Sequence, residues 1–206
     1  MKEFVQRIVS LICLLYPYSL HRAIIKKRNF IYSCWIQQEF REVGKNTRFV
    51  MPLYTRGGKN IIIGNNCLFY RSCEINAWDK YKGFDYSPII EIGDNCQFGP
   101  YTHITCCNRI LIGNGVLTGS NVIISDNNHG SLTKEDMGIE PRKRMLTSKG
   151  SVVIDDNVWI GDKVAILSGV HIGANSIVAS NSVVTHDVPA FSIVGGAPAK
   201  IIKEIQ

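Results

Sequence analysis

The hydrophobic and polar positions in the C-terminal half of the chain repeat every six residues. From residue 154 the sequence reads IDDNVW, IGDKVA, ILSGVH, IGANSI, VASNSV and VTHDVP. The first position of each hexad holds a large aliphatic residue: Ile154, Ile160, Ile166, Ile172, Val178 and Val184. The fifth position holds a smaller residue: Val158, Val164, Val170, Ser176, Ser182 and Val188. Neither an α-helix, with a period of about 3.6, nor a simple strand, with a period of about 2, produces this pattern.

A six-residue repeat is a signature of the parallel β-helix, in which short strands and turns wind around a prism. Three hexads, about 18 residues, then complete one coil. The first and fifth positions of each hexad point inward, and the fifth has room only for a small residue. Gly, Asn and Asp occupy positions two to four, as turns that need positive φ require. The pattern therefore predicts an all-β solenoid.

The first half of the chain follows the same pattern with two interruptions. Coils open at Val43, Ile63, Ile92 and Ile112, each followed by glycine. The spacing of 29 residues between the second and third of these positions indicates an excursion at 77–88. The 42 residues between the last of them and the first regular hexad indicate a larger loop at 126–150. We expect about six coils between residues 43 and 189, with caps over the open ends.

The seven cysteines do not form a disulfide pattern, because their number is odd and no CxxC pair occurs. Cys67, Cys73 and Cys96 fall on the small inward fifth position, which suits a buried free thiol. Cys106 and Cys107 are adjacent at a corner, where a structural disulfide is not expected, and we expect no metal site there. This use of cysteine predicts a reduced, cytoplasmic protein.

Residues 1–42 differ from the rest of the chain in charge and in hydrophobic pattern. Residues 1–48 contain nine Lys or Arg and three Asp or Glu, whereas residues 49–206 contain fourteen of each. The hydrophobic positions predict an amphipathic helix that ends at Pro17, followed by a second apolar and basic stretch. No apolar run reaches the roughly 18 residues of a membrane span, and no secretory signal is expected. We predict a helical segment at 1–42 and the β-helix domain at 43–206.

Two roles remain open for this N-terminal segment. Its helices can cap the open end of the prism, as some element must. They can also bind an anionic membrane surface, because the whole excess of positive charge lies here. Capping alone does not explain the charge, and both roles can hold together. The electrically neutral body does not match a nucleic-acid-binding domain, which spreads Lys and Arg over a face of the fold.

Histidines are the first candidates for chemistry. The chain contains His21, His103, His129, His171 and His186. His129 lies in SDNNHG, where the chain leaves the prism for the large loop, and such loops are a usual place for function. His103 occupies an outward position from which it could line a groove beside that loop. No Cys/His cluster has the spacing of a zinc site, and GxGxxG, P-loop and GxSxG motifs are missing from the sequence.

Four stretches of the chain carry motifs typical of one enzyme superfamily. They are ISDNNHG at 124–130, the basic PRKRM at 141–145, residues 152–190 with NVWIG, and GGAPAKIIK at 195–203. In these stretches the chain resembles the left-handed β-helix acyltransferases of the hexapeptide-repeat superfamily, above all the bacterial O-acetyltransferases of lipopolysaccharide, capsule and exopolysaccharide synthesis. The resemblance implies a homotrimer with active sites in the clefts between subunits and acetyl-CoA bound along the coils, without a metal.

The resemblance also implies roles for individual residues. His129 would be the general base that takes the proton from a sugar hydroxyl attacking the thioester, a role that suits an imidazole because its pKa lies near working pH. Residues expected to bind the donor are Asp162, Ser180, Thr185, Lys200 and Lys203. Trp159 is expected to form a wall of the cleft and to contact the acceptor, together with Asp126, Asn128 and His103.

Two positions depart from the relatives that act on small free sugars. Cys107 stands where those relatives have an acidic residue that helps to hold the acceptor, and Gly99 stands where they have an acceptor-binding Asn. A galactoside or maltose acceptor is therefore not expected. Either His103 or Asp126 could replace the missing group, and the residue that orients His129 is left open.

The sequence thus predicts an acetyl-CoA-dependent O-acetyltransferase acting on a sugar of a surface polysaccharide or its lipid-linked precursor. It would work in the cytoplasm, in peripheral contact with the inner face of the bacterial inner membrane. One alternative is an N-acetyltransferase for a nucleotide-linked amino sugar, which uses the same fold and base. Another is a non-catalytic β-helix scaffold, which the large loop and His129 disfavour.

Overall fold

Three sheets form the sides of a prism that extends along most of the chain. The computed structural model describes residues 1–131 and 133–205. The chain passes through the first, second and third sheet in turn, and neighbouring strands in each sheet pair in parallel, apart from the last strand. This architecture is a parallel β-helix, as the six-residue period predicts.

The strands are short because each side of the prism is short. The first sheet contains Glu42–Val43, Ile61–Ile63, Ile89–Ile92, Arg109–Ile112, Val152–Ile154 and His171–Ile172. The second contains Arg48–Phe49, Leu68–Phe69, Gln97–Phe98, Leu117–Thr118, Trp159–Ile160, Ile177–Val178, Ser192–Gly196 and the antiparallel Ala199–Glu204. The third contains Leu53–Arg56, Cys73–Ala77, His103–Cys106, Ile123–Ser125, Ala165–Ile166 and Val183–Val184.

Both expected excursions leave the prism as antiparallel pairs of strands. In the first, Lys80–Tyr81 pairs with Phe84–Asp85; residues 78–86 are called the aromatic hairpin below. In the second, Asn128–His129 pairs with Leu146–Thr147 at the base of the 126–150 loop. This loop also contains a short helix at Lys134–Met137 and a 3-10 turn at Pro141–Lys143.

The interior of the prism is built from the two inward positions of the repeat. All twelve residues at the first and fifth positions of the regular hexads are buried, which confirms the predicted core. Cys67, Cys73 and Cys96 are buried as predicted, each with no more than 1% of its surface exposed. Ser176 and Ser182 are also completely buried, and their hydroxyls donate to the carbonyls of Pro189 and Ala179.

The corners between the sheets require unusual backbone conformations. Asn46, Asn66, Asn95, Asn157 and Asn175 adopt positive φ, and amide hydrogen bonds join neighbouring Asn side chains from coil to coil. Asn tolerates the left-handed region better than most residues, which explains its recurrence in the turns. Elsewhere the coils approach too closely for a side chain: a Cβ atom on Gly64 would lie 2.6 Å from the carbonyl carbon of Gly93.

A column of aromatic rings fills the N-terminal end of the prism. Phe98, Phe69 and Phe49 stack in successive coils with ring centroids 4.7 and 5.1 Å apart. Phe40 extends the column beyond the first coil, with its ring 5.5 Å from that of Phe49. The buried column therefore continues into the segment that precedes the β-helix.

Two helices precede the prism, and only the second one caps it. Helix α1 spans Lys2–Leu15 and has no buried residue, whereas helix α2 spans Tyr18–Ile36 and buries Ser33 and Ile36 against the first coil. A 3-10 turn at Gln37–Glu39 then leads to the first strand. Capping is therefore the role of the C-terminal end of α2 and of Phe40.

The two N-terminal helices are the segments closest in length and hydropathy to a membrane span. Within residues 1–131 and 133–205, no single helix is long and apolar enough to cross a bilayer. The helical segments Lys2–Leu15 and Tyr18–Glu39 meet the length and hydropathy criteria together, but they are bent by 53° relative to each other.

Candidate functional site

His129 lies at the base of the large loop, immediately outside the prism. The third-sheet strand Ile123–Ser125 leads into it, and its own strand is exposed. His129 is the register partner of Leu146, and the N–H of Gly130 donates to the carbonyl of Met145 at 2.8 Å. The hydroxyl of Thr147 donates to the carbonyl of Gly130 at 2.6 Å. The loop base therefore holds the backbone of His129 at the surface of the rigid coils.

A cavity of about 660 Å³ opens beside His129. Its lining residues are Asn128, His129, Gly130, Ser131, Met137, Arg144, Thr147, Ser148 and Lys149. The lining combines a histidine, several small hydroxyl groups and two basic side chains. A polar ligand such as a sugar can bind in a cavity of this size and composition.

Arg144 closes one side of this cavity. Its guanidinium donates to the carbonyls of Ile139 and Met137, at 2.9 and 3.1 Å. Its side chain packs against Gly130, which adopts a φ of +82° and lacks space for a Cβ atom. The residue after His129 is thus glycine for both conformational and steric reasons.

Asp126 is not placed as an acceptor-binding residue, because its side chain is completely buried. Its carboxylate accepts the backbone N–H groups of Cys107 and Asn108, at 2.8 and 2.9 Å, and the thiol of Cys106 at 3.0 Å. These contacts lie on the corner of the preceding coil. The expectation that Asp126 contacts the acceptor is therefore corrected: its carboxylate is buried and engaged in hydrogen bonds inside the protein, where it holds the start of the loop.

The Cys106–Cys107 corner is not a site of thiol chemistry. Burial, and then the charge of Asp126, raise the pKa of the Cys107 thiol to about 12. The same two causes raise the pKa of Cys106. Both thiols consequently remain protonated near neutral pH. Within the part of the chain that the structure describes, no group of three His, Cys, Asp or Glu residues is arranged to hold a metal.

His103 does not meet His129. It lies on the third sheet, where its Nε2 atom is 3.9 Å from a carboxylate oxygen of Glu74, its register partner. Nothing among residues 1–131 and 133–205 forms a hydrogen bond with this buried Nε2 atom. Asn128, by contrast, precedes His129 on the same strand and lines the cavity. Of the predicted acceptor-binding residues, only Asn128 lines the cavity with His129 in the part of the chain that the structure describes.

The predicted donor-binding residues lie elsewhere on the prism. Trp159 is on the second sheet between Leu117 and Ile177, with 52% of its surface exposed. Asp162 and Ser180 follow on the corner, where Asp162 accepts the N–H of Ser120 and donates its own N–H to the hydroxyl of Ser180.

The remaining donor-binding candidates lie towards the C-terminal end. Thr185 is half-buried, with its hydroxyl 2.8 Å from the Nδ1 atom of His186. Lys200 and Lys203 are exposed on the antiparallel strand Ala199–Glu204. None of these side chains contacts His129 within the described part of one chain.

Sequence reasoning missed the aromatic hairpin as part of the site. The ring of Tyr81 lies against the imidazole of His129, with centroids 5.5 Å apart and planes inclined by 61°. The Tyr81 hydroxyl donates to the carbonyl of Arg142 at 3.1 Å. The hydroxyl of Tyr86 accepts the N–H of Leu146 at 2.8 Å, and burial raises the pKa of this tyrosine. The one available signal was the aromatic composition of AWDKYKGFDYSP in the shorter excursion.

Comparison with known proteins agrees with this architecture. The profile of the family described as bacterial transferase hexapeptide (six repeats) matches residues 151–186. A protein named for lipopolysaccharide biosynthesis O-acetyl transfer, WbbJ of Escherichia coli (strain K12), is 34% identical over 165 residues, covering 78% of this chain and 80% of WbbJ. The galactoside O-acetyltransferase of the same strain is 31% identical over 185 residues, covering 90% of this chain and 72% of that enzyme.

Solved structures show the same fold. A hexapeptide-repeat-containing acetyltransferase from Vibrio cholerae is 28% identical, with a TM-score of 0.58 over 86% of this chain and 81% of that one. AntD, an N-acyltransferase from Bacillus cereus solved with dTDP and 3-hydroxybutyryl-CoA, has a TM-score of 0.67 over 84% of this chain and 87% of that one. Its 20% identity supports the fold alone. The extent of the identity to the two Escherichia coli proteins, together with the repeat and the β-helix, shows that this chain belongs to the hexapeptide-repeat family of acetyltransferases.

Proposed function

We propose that this acetyltransferase uses acetyl-CoA to acetylate a sugar hydroxyl of a surface polysaccharide or its lipid-linked precursor, with His129 as the general base. The observation that carries the proposal is the position of His129, exposed on the lining of a cavity that also holds hydroxyl and basic side chains, and held by the base of a loop on a rigid solenoid. Acetyl-CoA as donor agrees with the family and with a second structure of the Vibrio cholerae acetyltransferase, which was solved with acetyl-CoA.

The imidazole is suited to a direct transfer. One of its nitrogens accepts the proton of the sugar hydroxyl while the hydroxyl oxygen forms a bond to the carbonyl carbon of the thioester. The carbon–sulfur bond then breaks, and the departing CoA thiolate takes the proton back from the imidazolium. The products are the acetyl ester and CoA–SH, so neither metal nor redox chemistry is required. A positioned base of this kind contributes about 10²–10⁴-fold to the rate.

Two features of the coils support an acceptor other than a small free sugar. A Cβ atom on Gly99 would lie 2.1 Å from the carbonyl oxygen of Gly119, so the packed coils leave no space for a side chain there. Cys107 is 5% exposed, and its N–H is bound to Asp126. Neither position presents a polar group to an acceptor. The basic residues Arg144 and Lys149 in the cavity wall suit an acceptor that carries a phosphate or acidic group.

The proposal includes a homotrimer. His129 follows the third sheet, whereas Trp159 and the donor-binding candidates lie on the second sheet and beyond. A neighbouring copy that places its second sheet opposite this His129 would complete the site, as the family resemblance implies. We further infer the left-handed winding of that family and about six coils. The seven free cysteines support a reducing, cytoplasmic location.

Calorimetric titration with acetyl-CoA and with free CoA tests the transferase function. We expect about one CoA per chain, retained in the His129→Ala variant, whereas acceptor-dependent thiol release should fall at least about 100-fold in that variant. His171→Ala is the matched control, because His171 is also exposed but pairs with Asp155 at 2.9 Å on a regular coil. Failure to bind acetyl-CoA would instead support a scaffold.

The acceptor is tested by comparing three substrates. De-O-acetylated polysaccharide of the host organism, a lipid-linked sugar and a nucleotide-linked amino sugar would be offered with acetyl-CoA. Ester formation on either of the first two supports the proposal. Amide formation on the third would identify an N-acetyltransferase and overturn the O-acetyl assignment.

We also propose that the N-terminal segment at 1–42, whose helical part ends at Glu39, lies with helix α1 on an anionic membrane surface. Because capping involves only the end of α2 and Phe40, the apolar side chains of α1 are not buried against any of the residues that the structure describes. They include Phe4, Leu11, Leu14 and Leu15, each at least 64% exposed. Residues 1–31 contain six Lys or Arg and one acidic residue. An apolar helix face with adjacent cations is the pattern that binds anionic lipid headgroups.

Vesicle sedimentation tests the membrane proposal. The full chain should bind phosphatidylglycerol vesicles more strongly than phosphatidylcholine vesicles, and added salt should weaken this binding. Deleting residues 1–30 should remove the binding while gel filtration still reports the trimer. Binding that is unchanged by the deletion and insensitive to salt would disprove the proposal.

A further inference from the structure

The imidazole of His129 has one aromatic neighbour and no hydrogen bond from within the described chain. The aromatic hairpin covers one side of the ring, and the cavity lies beside it. A general base must keep its nitrogen aimed at the hydroxyl that it deprotonates, and a free rotamer would lose that alignment. We propose that Tyr81 is the positioning residue of His129, an inference that rests on the function proposed above.

Tyr81 is itself fixed at two points. Its hydroxyl donates to the carbonyl of Arg142 at 3.1 Å, which ties the hairpin to the far side of the 126–150 loop. Its ring meets that of Trp78 edge to face, with centroids 5.5 Å apart and planes at 89°. Edge-to-face contact is a favoured arrangement of two aromatic rings. Tyr81 therefore presents a constrained surface to the imidazole.

Trp78 anchors this arrangement to the prism. Its Nε1–H donates to the hydroxyl oxygen of Thr105 at 3.1 Å, and the guanidinium of Arg56 lies 4.4 Å from its ring centroid. The same Thr105 oxygen accepts the side-chain amide of Asn127 at 3.3 Å. One hydroxyl on the third sheet thus fixes both the hairpin that carries Tyr81 and the segment that leads to His129.

This shared anchor explains how the two excursions act on one ring. Relative movement of the hairpin and the loop base would separate Tyr81 from His129, and the contacts through Thr105 and Arg142 oppose that movement. Removal of the Tyr81 ring should free the imidazole to occupy other rotamers. The loss should then appear in the turnover number and not in donor binding, because no predicted donor-binding residue contacts the hairpin within the described chain.

Three variants test the inference. Tyr81→Leu removes the ring, and Tyr81→Phe keeps the ring but removes the hydrogen bond to Arg142. Tyr54→Leu makes the same exchange at an exposed tyrosine on the strand Leu53–Arg56, outside the aromatic hairpin and the described contacts of His129. We would measure kcat and KM with acetyl-CoA and de-O-acetylated polysaccharide of the host organism. The NMR signal of the His129 imidazole would be recorded in parallel and assigned with the His129→Ala variant.

We expect Tyr81→Leu to lower kcat by between about 10- and 100-fold with the KM for acetyl-CoA unchanged. It should also remove the ring-current shift of the His129 signal and broaden the line. Tyr81→Phe should retain most of kcat and the shift, and Tyr54→Leu should match the unmodified protein. A Tyr81→Leu enzyme within twofold of the unmodified kcat, or equal losses in Tyr81→Leu and Tyr54→Leu, would overturn the inference. Thiol release that does not depend on His129 would instead refute the proposed function, even with the ring contact visible by NMR.

Discussion

The carboxylate of Asp126 accepts the backbone N–H of Cys107 at 2.8 Å, across the corner between two successive coils. A second oxygen of the same group accepts the N–H of Asn108. Asp126 is the first residue of the large loop and lies three residues before His129. Its hydrogen bonds therefore attach the start of the loop to the preceding coil. A buried carboxylate is stabilised only by such donors, because burial removes its hydration.

Replacing Asp126 with Asn should destabilise the protein. In the variant a neutral side chain replaces the carboxylate that accepts the N–H groups of Cys107 and Asn108. The amide N–H₂ of the new side chain would face one of these N–H donors. We expect the free energy of unfolding to fall by about 3 kcal/mol, measured by urea denaturation. Asp155→Asn is the control: it breaks an exposed pair with His171 and should cost less than about 1 kcal/mol. Equal losses in the two variants would show that burial of Asp126 has no energetic consequence.

Replacing Gly130 with Ala should affect acetyl transfer more than backbone strain alone explains. Gly130 has a φ of +82°, and a Cβ atom would lie 2.7 Å from Cδ of Arg144. Gly169→Ala introduces the same strain at a φ of +82° on a regular coil, where the nearest atom lies 3.5 Å away. We expect both variants to lose about 1–2 kcal/mol of stability, but only Gly130→Ala to lower kcat, by about 10-fold. Similar kcat values for both would argue against a role of the Arg144 contact.

Replacing Ser33 with Ala should weaken the cap. The Ser33 hydroxyl accepts the N–H of Phe49 at 2.8 Å and lies 3.1 Å from its carbonyl oxygen, and Phe49 is completely buried. The variant leaves a buried N–H without a partner, so we expect a loss of about 1–3 kcal/mol in a denaturation experiment. Ser10→Ala on the exposed helix α1 should have little effect. An unchanged Ser33→Ala midpoint would mean that the cap is held by apolar contacts alone.

The buried thiol of Cys73 predicts a specific pH dependence of stability. Burial raises its pKa from an ordinary value of 9.0 to about 12, so the unfolded chain ionises first. The contribution of this thiol to stability is fully present below pH 9. It is lost as the pH rises from 9 towards 12, because the unfolded state then binds fewer protons than the folded state. Cys73→Ala should reduce this slope by about 1.4 kcal/mol per pH unit.

The measurement for Cys73 is urea denaturation at several pH values on both sides of pH 9. Cys34→Ala, which removes an exposed thiol, is the matched control and should leave the slope unchanged. If the slopes of the Cys73→Ala and unmodified proteins coincide, the thiol of Cys73 does not remain protonated in the folded state.

The sequence by itself determined the solenoid and its core. Each coil places a large aliphatic residue and a small residue at the same two positions. Ile154, Val158 and Cys96 could therefore be assigned to the interior by counting along the sequence alone. Both excursions and the position of His129 at the start of the larger one could also be predicted, because an interruption of a strict period is visible without coordinates. These features depend on residues that are close in sequence or separated by whole coils.

Only the tertiary structure decided which distant side chains meet. Tyr81 reaches His129 because the two excursions leave the third sheet two strands apart, on either side of His103–Cys106, and fold toward each other. No local pattern records their direction. The sequence did not show that the carboxylate of Asp126 accepts the backbone N–H of Cys107 inside the protein, and so it allowed Asp126 to be proposed as a sugar ligand. The division of the N-terminal segment into an exposed α1 and a capping end of α2 likewise depends on where helix α2 contacts the first coil. Periodicity specifies burial along the chain, whereas contacts between irregular segments depend on the packing of the complete fold.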